Sequence, residues 1–174
     1  MRGLLLVAAA CALLLGAGTT LTAESPGNAA LVVKVTPVTV VPGGRAESKI
    51  TIEIQKGYRI VAPGTALKWS QPVLLAFDAA DGVFVEPPAW PAGTSWRGEE
   101  QDPEVKVYEG RLDLRVTLRA APKSAGQELA LQGRLRYQAI KGEFFQKVAV
   151  MPVSIPVTVT AAPAAPAGDA ATRP

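Results

Sequence analysis

The side chains that most often attack, ligate metals or shuttle protons at neutral pH are histidine and cysteine. This chain has no histidine and a single cysteine, Cys11. That removes a histidine-supported nucleophile, a cysteine nucleophile in any folded domain and the donor set of a zinc site. No glycine-rich phosphate loop joins a strand to a helix. Carboxylates remain, clustered in "RGEEQDPE" as Glu99, Glu100, Asp102 and Glu104. Paired carboxylates can cleave a glycoside or hold calcium, but this run lacks the regular spacing of a calcium loop and Pro103 interrupts it. A solvated acidic loop is the preferred reading, with a carboxylate-dependent hydrolase as the weaker alternative. No catalytic group, metal ligand or cofactor is assigned.

Apolar side chains raise a different question in "GRLRYQAIKGEFFQKVAV", residues 133–150. It reads as two strands joined by the polar turn Lys141-Gly142-Glu143, yet Tyr137, Ile140, Phe144 and Phe145 crowd against the turn. A hairpin tip rich in apolar residues either binds something or seals the end of its own domain. Trp90 and Trp96 in "PPAWPAGTSW" pose the same choice, together with Trp69. Aromatic rings can line a sugar or peptide groove, and a loop that packs its own aromatics explains them as well.

The elements that must carry these residues have a hydrophobic period of two. In "RLDLRVTLR", Leu112, Leu114, Val116 and Leu118 alternate with Arg111, Asp113, Arg115, Thr117 and Arg119. "KITIEIQ" repeats the pattern through Ile50, Ile52 and Ile54, and "ELALQGRLRYQ" through Leu129, Leu131, Leu135 and Tyr137. Further strands are expected over 31–41, 73–78, 82–86, 105–109 and 143–160. Turn signals such as "VPGG", "DAADG" and "APKSAG" separate them. About eight short strands with polar outer faces, and no helical period, predict an antiparallel β-sandwich. Pro37, Pro152 and Pro156 fall inside strand patterns and belong at edges or bends. The cysteine pair of an immunoglobulin disulfide is absent, so the core alone must hold the sandwich.

The two ends differ from this middle. Arg2 precedes the apolar run "LLLVAAACALLLGAG", a secretory signal peptide assigned to residues 1–23, with cleavage at roughly residue 18 to 24. The run is short for a membrane span, which needs about 20 apolar residues. Lipidation of Cys11 is disfavoured, because a short apolar stretch precedes it and apolar residues follow. The mature chain is then expected in the periplasm or secreted, without cysteine and without an integral membrane span. The tail at 161–174, mostly Ala and Pro, has nothing large to bury and is expected to be disordered. That leaves one domain over residues 29–160. The 174-residue chain is 48% hydrophobic with a net charge of +3, which loss of Arg2 lowers by one. So small an excess leaves no nucleic-acid footprint.

Three segments, "KGYRIVAPGTALKWSQPVLLAFDAADGVFVEPPAWP", "VYEGRLDLRVTL" and "LALQGRLRYQAIKGEFFQ", resemble in order and spacing the N-terminal periplasmic domain of the thiol:disulfide interchange family, DsbD. The resemblance spans roughly Val33 to Val159, with "VYEG" and "YQA" its most specific elements. It implies an immunoglobulin-like sandwich whose hairpin tip carries a redox cysteine pair, capped by a loop that here falls within Trp96 to Pro103. It also implies thioredoxin-like periplasmic partners. The first cysteine position falls on Ile140 and the second on Phe145, or on Gln146 if the turn is one residue longer. Thiol-disulfide exchange needs a thiolate and a sulfur to attack, so these residues cannot perform the family's reaction. Tyr137, Ile140, Phe144, Phe145 and Trp96 are the candidate contacts to a thioredoxin-like or other exported protein. The alternative is a purely structural domain whose tip is sealed by the same side chains.

Overall fold

The computed structural model describes residues 22–23, 30–64, 70–99 and 102–161. The expected leader and tail therefore lie outside the described residues, except for Thr22, Ala23 and Ala161, and so do Trp69 and Glu100. The described chain is an all-β, immunoglobulin-like sandwich with a single 3-10 turn at Pro122–Ser124. Among the described residues no helix is long and apolar enough to cross a membrane.

The first sheet orders β1 (Thr22–Ala23), β2 (Leu31–Val35), β4 (Arg45–Ile54), β10 (Arg111–Ala120) and β7 (Val83–Val85). The second runs β3 (Val38–Val40), β12 (Phe144–Val159), β11 (Glu128–Lys141), β5 (Tyr58–Val61), β9 (Val105–Tyr108) and β8 (Thr94–Trp96), and β6 (Leu74–Phe77) pairs with β11 as well. Among the described residues the expected eight strands become twelve, for local reasons. Pro37 has no N–H for a ladder, so "LVVKVTPVTVV" breaks there and its halves join different sheets. β5 and β8 are too short to show a period, and β1 pairs Thr22 with Lys34 inside the segment read as leader. The antiparallel expectation also needs one correction: β3 runs parallel to the end of β12, Val38 beside Val157.

Alternation places the core. β4 and β10 pair with Leu114 opposite Ile50 and Leu112 opposite Ile52, all inward and buried. Leu131, Leu135, Tyr137, Val153, Ile155 and Val157 answer from the second sheet. Gly133 sits among them because the Phe77 ring lies over it, and a Cβ there would come within 2.6 Å of that ring. The outer face of the first sheet is polar: Thr51 donates to Asp113 at 2.7 Å, and Lys49 and Arg111 each lie 3.1 Å from the same carboxylate. Among the described residues β12 has an unpaired edge before Val157, where β3 joins it, and both Pro152 and Pro156 occupy that stretch. Prolines there deny a ladder to another chain.

Candidate functional site

The β11–β12 hairpin closes through Gly142-Glu143, with Gly142 at φ 60°, a left-handed backbone that glycine adopts without strain. Beyond the turn Lys141 pairs with Phe144 and Ile140 with Phe145, and the register then shifts between Gln138 and Ile140. Ile140 and Phe145 are thus direct cross-strand neighbours, whose Cβ atoms typically stand about 4.5 to 5.5 Å apart.

Burial along β11 shows what surrounds the pair. From Gln132 to Arg136 exposed and buried residues alternate, but Tyr137, Gln138, Ala139 and Ile140 are all buried. A strand buried on successive residues is covered on both faces. Tyr137 and Ala139 face the inter-sheet core, whereas Ile140 joins a second cluster with Val61, Val105 and Val107. β5 and β9 show the same doubling, since Ile60 and Tyr108 belong to the main core while Val61 and Val107 turn away from it. Gln138 is held on the outer side as well: its Oε1 accepts the Gln71 N–H at 2.8 Å, and its Nε2 donates to the Gln146 carbonyl at 3.1 Å.

Trp96 and Phe145 roof this outer cluster. Their rings meet edge to face at 6.1 Å and 64°. The Arg59 guanidinium lies 5.5 Å from the Trp96 ring centre and pairs with Glu109. The loop after Trp96 is tied locally, the Glu99 and Asp102 N–H groups donating to the Asp102 carboxylate and the Glu99 carbonyl, each at 3.0 Å. Glu104 accepts from Ser95 at 2.6 Å and from Lys106 at 2.8 Å. These bonds, led by that from Lys106, hold its carboxyl below the usual carboxylate range. Between this loop and the hairpin lies a cleft of about 170 Å³ lined by Trp96, Gly98, Asp102, Pro103, Val105, Glu143 and Phe145.

The five candidate contact residues therefore separate. Tyr137 and Ile140 are 1% and 0% exposed and offer a partner no surface, a correction to their expected role at the tip. Burial also pushes the Tyr137 hydroxyl pKa up. Phe145 and Trp96 are half-buried against each other, and Phe144 projects from the tip 75% exposed. Trp90 stacks on Tyr108 at 6.2 Å, and the Tyr108 hydroxyl donates to the Pro91 carbonyl at 2.5 Å, so the Trp90 loop packs its own aromatics. Sequence reasoning missed Arg59, Val61, Val105 and Val107. The signal for them was present in the adjacent apolar pairs Ile60-Val61 and Val107-Tyr108, which a single inward face cannot absorb.

No family model and no curated protein matches this sequence. Solved structures do share its shape. The N-terminal periplasmic domain of ScsB from Proteus mirabilis superposes with a TM-score of 0.55 at 12% identity, over 83% of this chain and 53% of that one. The chain thus spans about half the length of that domain. The DsbD N-terminal domain of Neisseria meningitidis, in its reduced form, gives a TM-score of 0.48 at 14% identity, over 74% of this chain and 86% of that one. In fold, then, this chain is similar to the ScsB periplasmic domain, and it carries that fold with Cys11 as its one cysteine.

Proposed function

We propose that this is an exported, non-redox protein-interaction domain that meets its partner through the tip of the β11–β12 hairpin. The observation that carries the reading is Phe144, 75% exposed at the point of the hairpin. An exposed phenylalanine gains nothing for the fold and supplies a large apolar contact to a partner. Phe145 and Trp96 hold the base of the tip rigid, which lowers the entropy lost on binding. The chemistry agrees with a non-enzymatic role, since Ile140 and Phe145 have no sulfur with which to exchange electrons. A thioredoxin-like exported protein is the partner class that the tip's family resemblance suggests. The apolar leader supports export to the periplasm or beyond.

A second reading has one observation in its favour. Tyr137 and Ile140 are fully buried, so at those two positions the tip residues serve the structure. The two roles divide along the hairpin, inner residues sealing and Phe144 meeting the partner.

Site-specific photo-cross-linking in the periplasm tests the proposal. A benzoyl-phenylalanine at position 144 should give a discrete heterologous adduct, whereas the same group at the exposed Arg115 on the opposite sheet should not. Equal, diffuse labelling from both positions, or none from 144, would overturn it.

A further inference from the structure

The edge of β12 has a hydrogen-bonding parity that can be read residue by residue. The Asp78 N–H donates to the Gln132 carbonyl at 2.8 Å, so Gln132 turns its peptide groups toward β6 and away from its cross-strand partner Ser154. Both residues of such an antiparallel position turn away from each other. Ser154 therefore faces the open edge, and by alternation so do Pro152, Val150 and Val148. The other end of β12 fixes the same parity independently: the Thr160 N–H reaches the Val40 carbonyl at 3.0 Å, while the Val159 N–H bonds back to the Gln127 carbonyl at 2.8 Å. Pro152 and Pro156 thus stand where a missing N–H costs β11 nothing and takes a donor from the edge. Toward the tip, the Gln146 carbonyl accepts from Gln138 Nε2 and is turned inward. Between these stops Val148 and Val150 each present an N–H and a C=O, and no described strand pairs with them on that side. Their side chains are also unusually open for valine, 42% and 56% exposed.

Two such residues, one apart from the other by a single alanine, are complementary to themselves. A twofold axis through Ala149 sets Val148 against Val150 of a second copy and Val150 against its Val148, each pair exchanging both hydrogen bonds. No other antiparallel register of two β12 edges uses both residues of each copy. Ala149 then meets its own counterpart at a closely spaced position, about 4.5 Å between Cα atoms, which a small side chain fits. The valines of both copies form one block on the outer face, and Lys147 falls opposite Met151, so no like charges meet. We infer that β12 is the seat of a weak, twofold-symmetric dimer of this chain, the second sheets of two copies joined edge to edge through residues 147–151. A second copy is favoured over an unrelated strand because it brings its own free amides and valines at the matching positions and its own Pro152 to end the ladder. So short a ladder buries less than the about 1,200 Å² of a standard interface, which makes the dimer concentration-dependent. The inference does not depend on the contact proposed for Phe144, which stands beyond the ladder.

Sedimentation velocity of the purified protein from about 10 μM to about 1 mM tests it. The sedimentation coefficient should climb from the monomer toward the dimer value, and amide exchange at Val148 and Val150 should slow as concentration rises while that at Ser154 does not. Val148→Lys puts a charge on the edge and should weaken association about tenfold or more. Val150→Pro removes one free donor without touching the β11 ladder and should do the same; if it disturbs the fold, Val148→Lys decides. Ala149→Cys, in a Cys11→Ala background, should oxidise to a disulfide-linked dimer far faster than Arg115→Cys on the opposite sheet. A monomer throughout the range would overturn the inference. So would a dimer that survives Val148→Lys, which would use another face, or a heterologous protein held at this edge while the chain alone stays monomeric.

Discussion

The domain holds two apolar clusters on opposite faces of the same strands, and they differ in how they are closed. The inter-sheet core is enclosed by two sheets whose inner faces interdigitate, so its burial follows from the architecture. The outer cluster of Val61, Val105, Val107 and Ile140 has a sheet on one side only, and on the other a roof of two half-buried rings, Trp96 and Phe145. The first is a condition of folding at all. The second is a local seal at the end where Phe144 projects, and it gives that end rigidity without a disulfide.

The comparison breaks first on a large-to-small change in the main core. Leu114 is 1% exposed opposite Ile50, and Leu114→Ala should cost about 2 to 5 kcal/mol in denaturant unfolding, with the whole domain losing stability together. A cost under about 1 kcal/mol would mean that the inward face has been misassigned. Ile140 is as fully buried, but its cavity would lie under a movable roof. Ile140→Ala should therefore cost less than Leu114→Ala, about 1 to 3 kcal/mol, and should speed amide exchange in β8 and β9 before it reaches β4 and β10. Uniform acceleration across all strands would show that the two clusters form one cooperative unit.

Two smaller effects sharpen the contrast with the surface. Asp113 accepts from Thr51 and then from Lys49 and Arg111, which lowers its pKa from 3.8 to about 2. A depressed carboxylate stabilises the fold above its unfolded pKa and loses that contribution as pH falls through the folded value. The effect should appear between about pH 4 and pH 2 and vanish in Asp113→Asn, read as a difference in melting temperature between the two proteins across that window. Phe144→Ser should shift stability by no more than about 0.5 kcal/mol. A large loss of stability would mean that Phe144 supports the fold.

Much of the main core was legible because a period of two is a direct reading of a sheet with one buried face. Leu112 to Leu118 and Ile50 to Ile54 point inward as the alternation requires. Leu129, the second residue of β11, is only half-buried against the core. The outer cluster was missed for a physical reason: the alternating pattern assigns one face to the core and leaves the other to water. A stretch covered on both faces appears in sequence as adjacent apolar residues, as in Ile60-Val61, Val107-Tyr108 and the run from Tyr137 to Ile140. The crowding at the hairpin tip was visible, but its division into sealed Tyr137 and Ile140 and projecting Phe144 depends on β5, β8 and β9, which are distant in sequence. The parallel β3–β12 contact is likewise tertiary and leaves no local mark.

The paired positions at the tip allow the most direct test. Ile140 faces Phe145 across the hairpin, under the roof, so Ile140→Cys with Phe145→Cys should bring two sulfurs within bonding reach, with Cα atoms about 4.4 to 6.8 Å apart. Mass analysis after air oxidation should find one intramolecular disulfide. In the single variant Ile140→Cys, which keeps the Phe145 ring, the thiol should react with an alkylating reagent only as fast as the roof opens, and far more slowly than a cysteine placed at 144. Failure to form the disulfide, or immediate alkylation at 140, would contradict the account of a sealed second cluster beneath the tip.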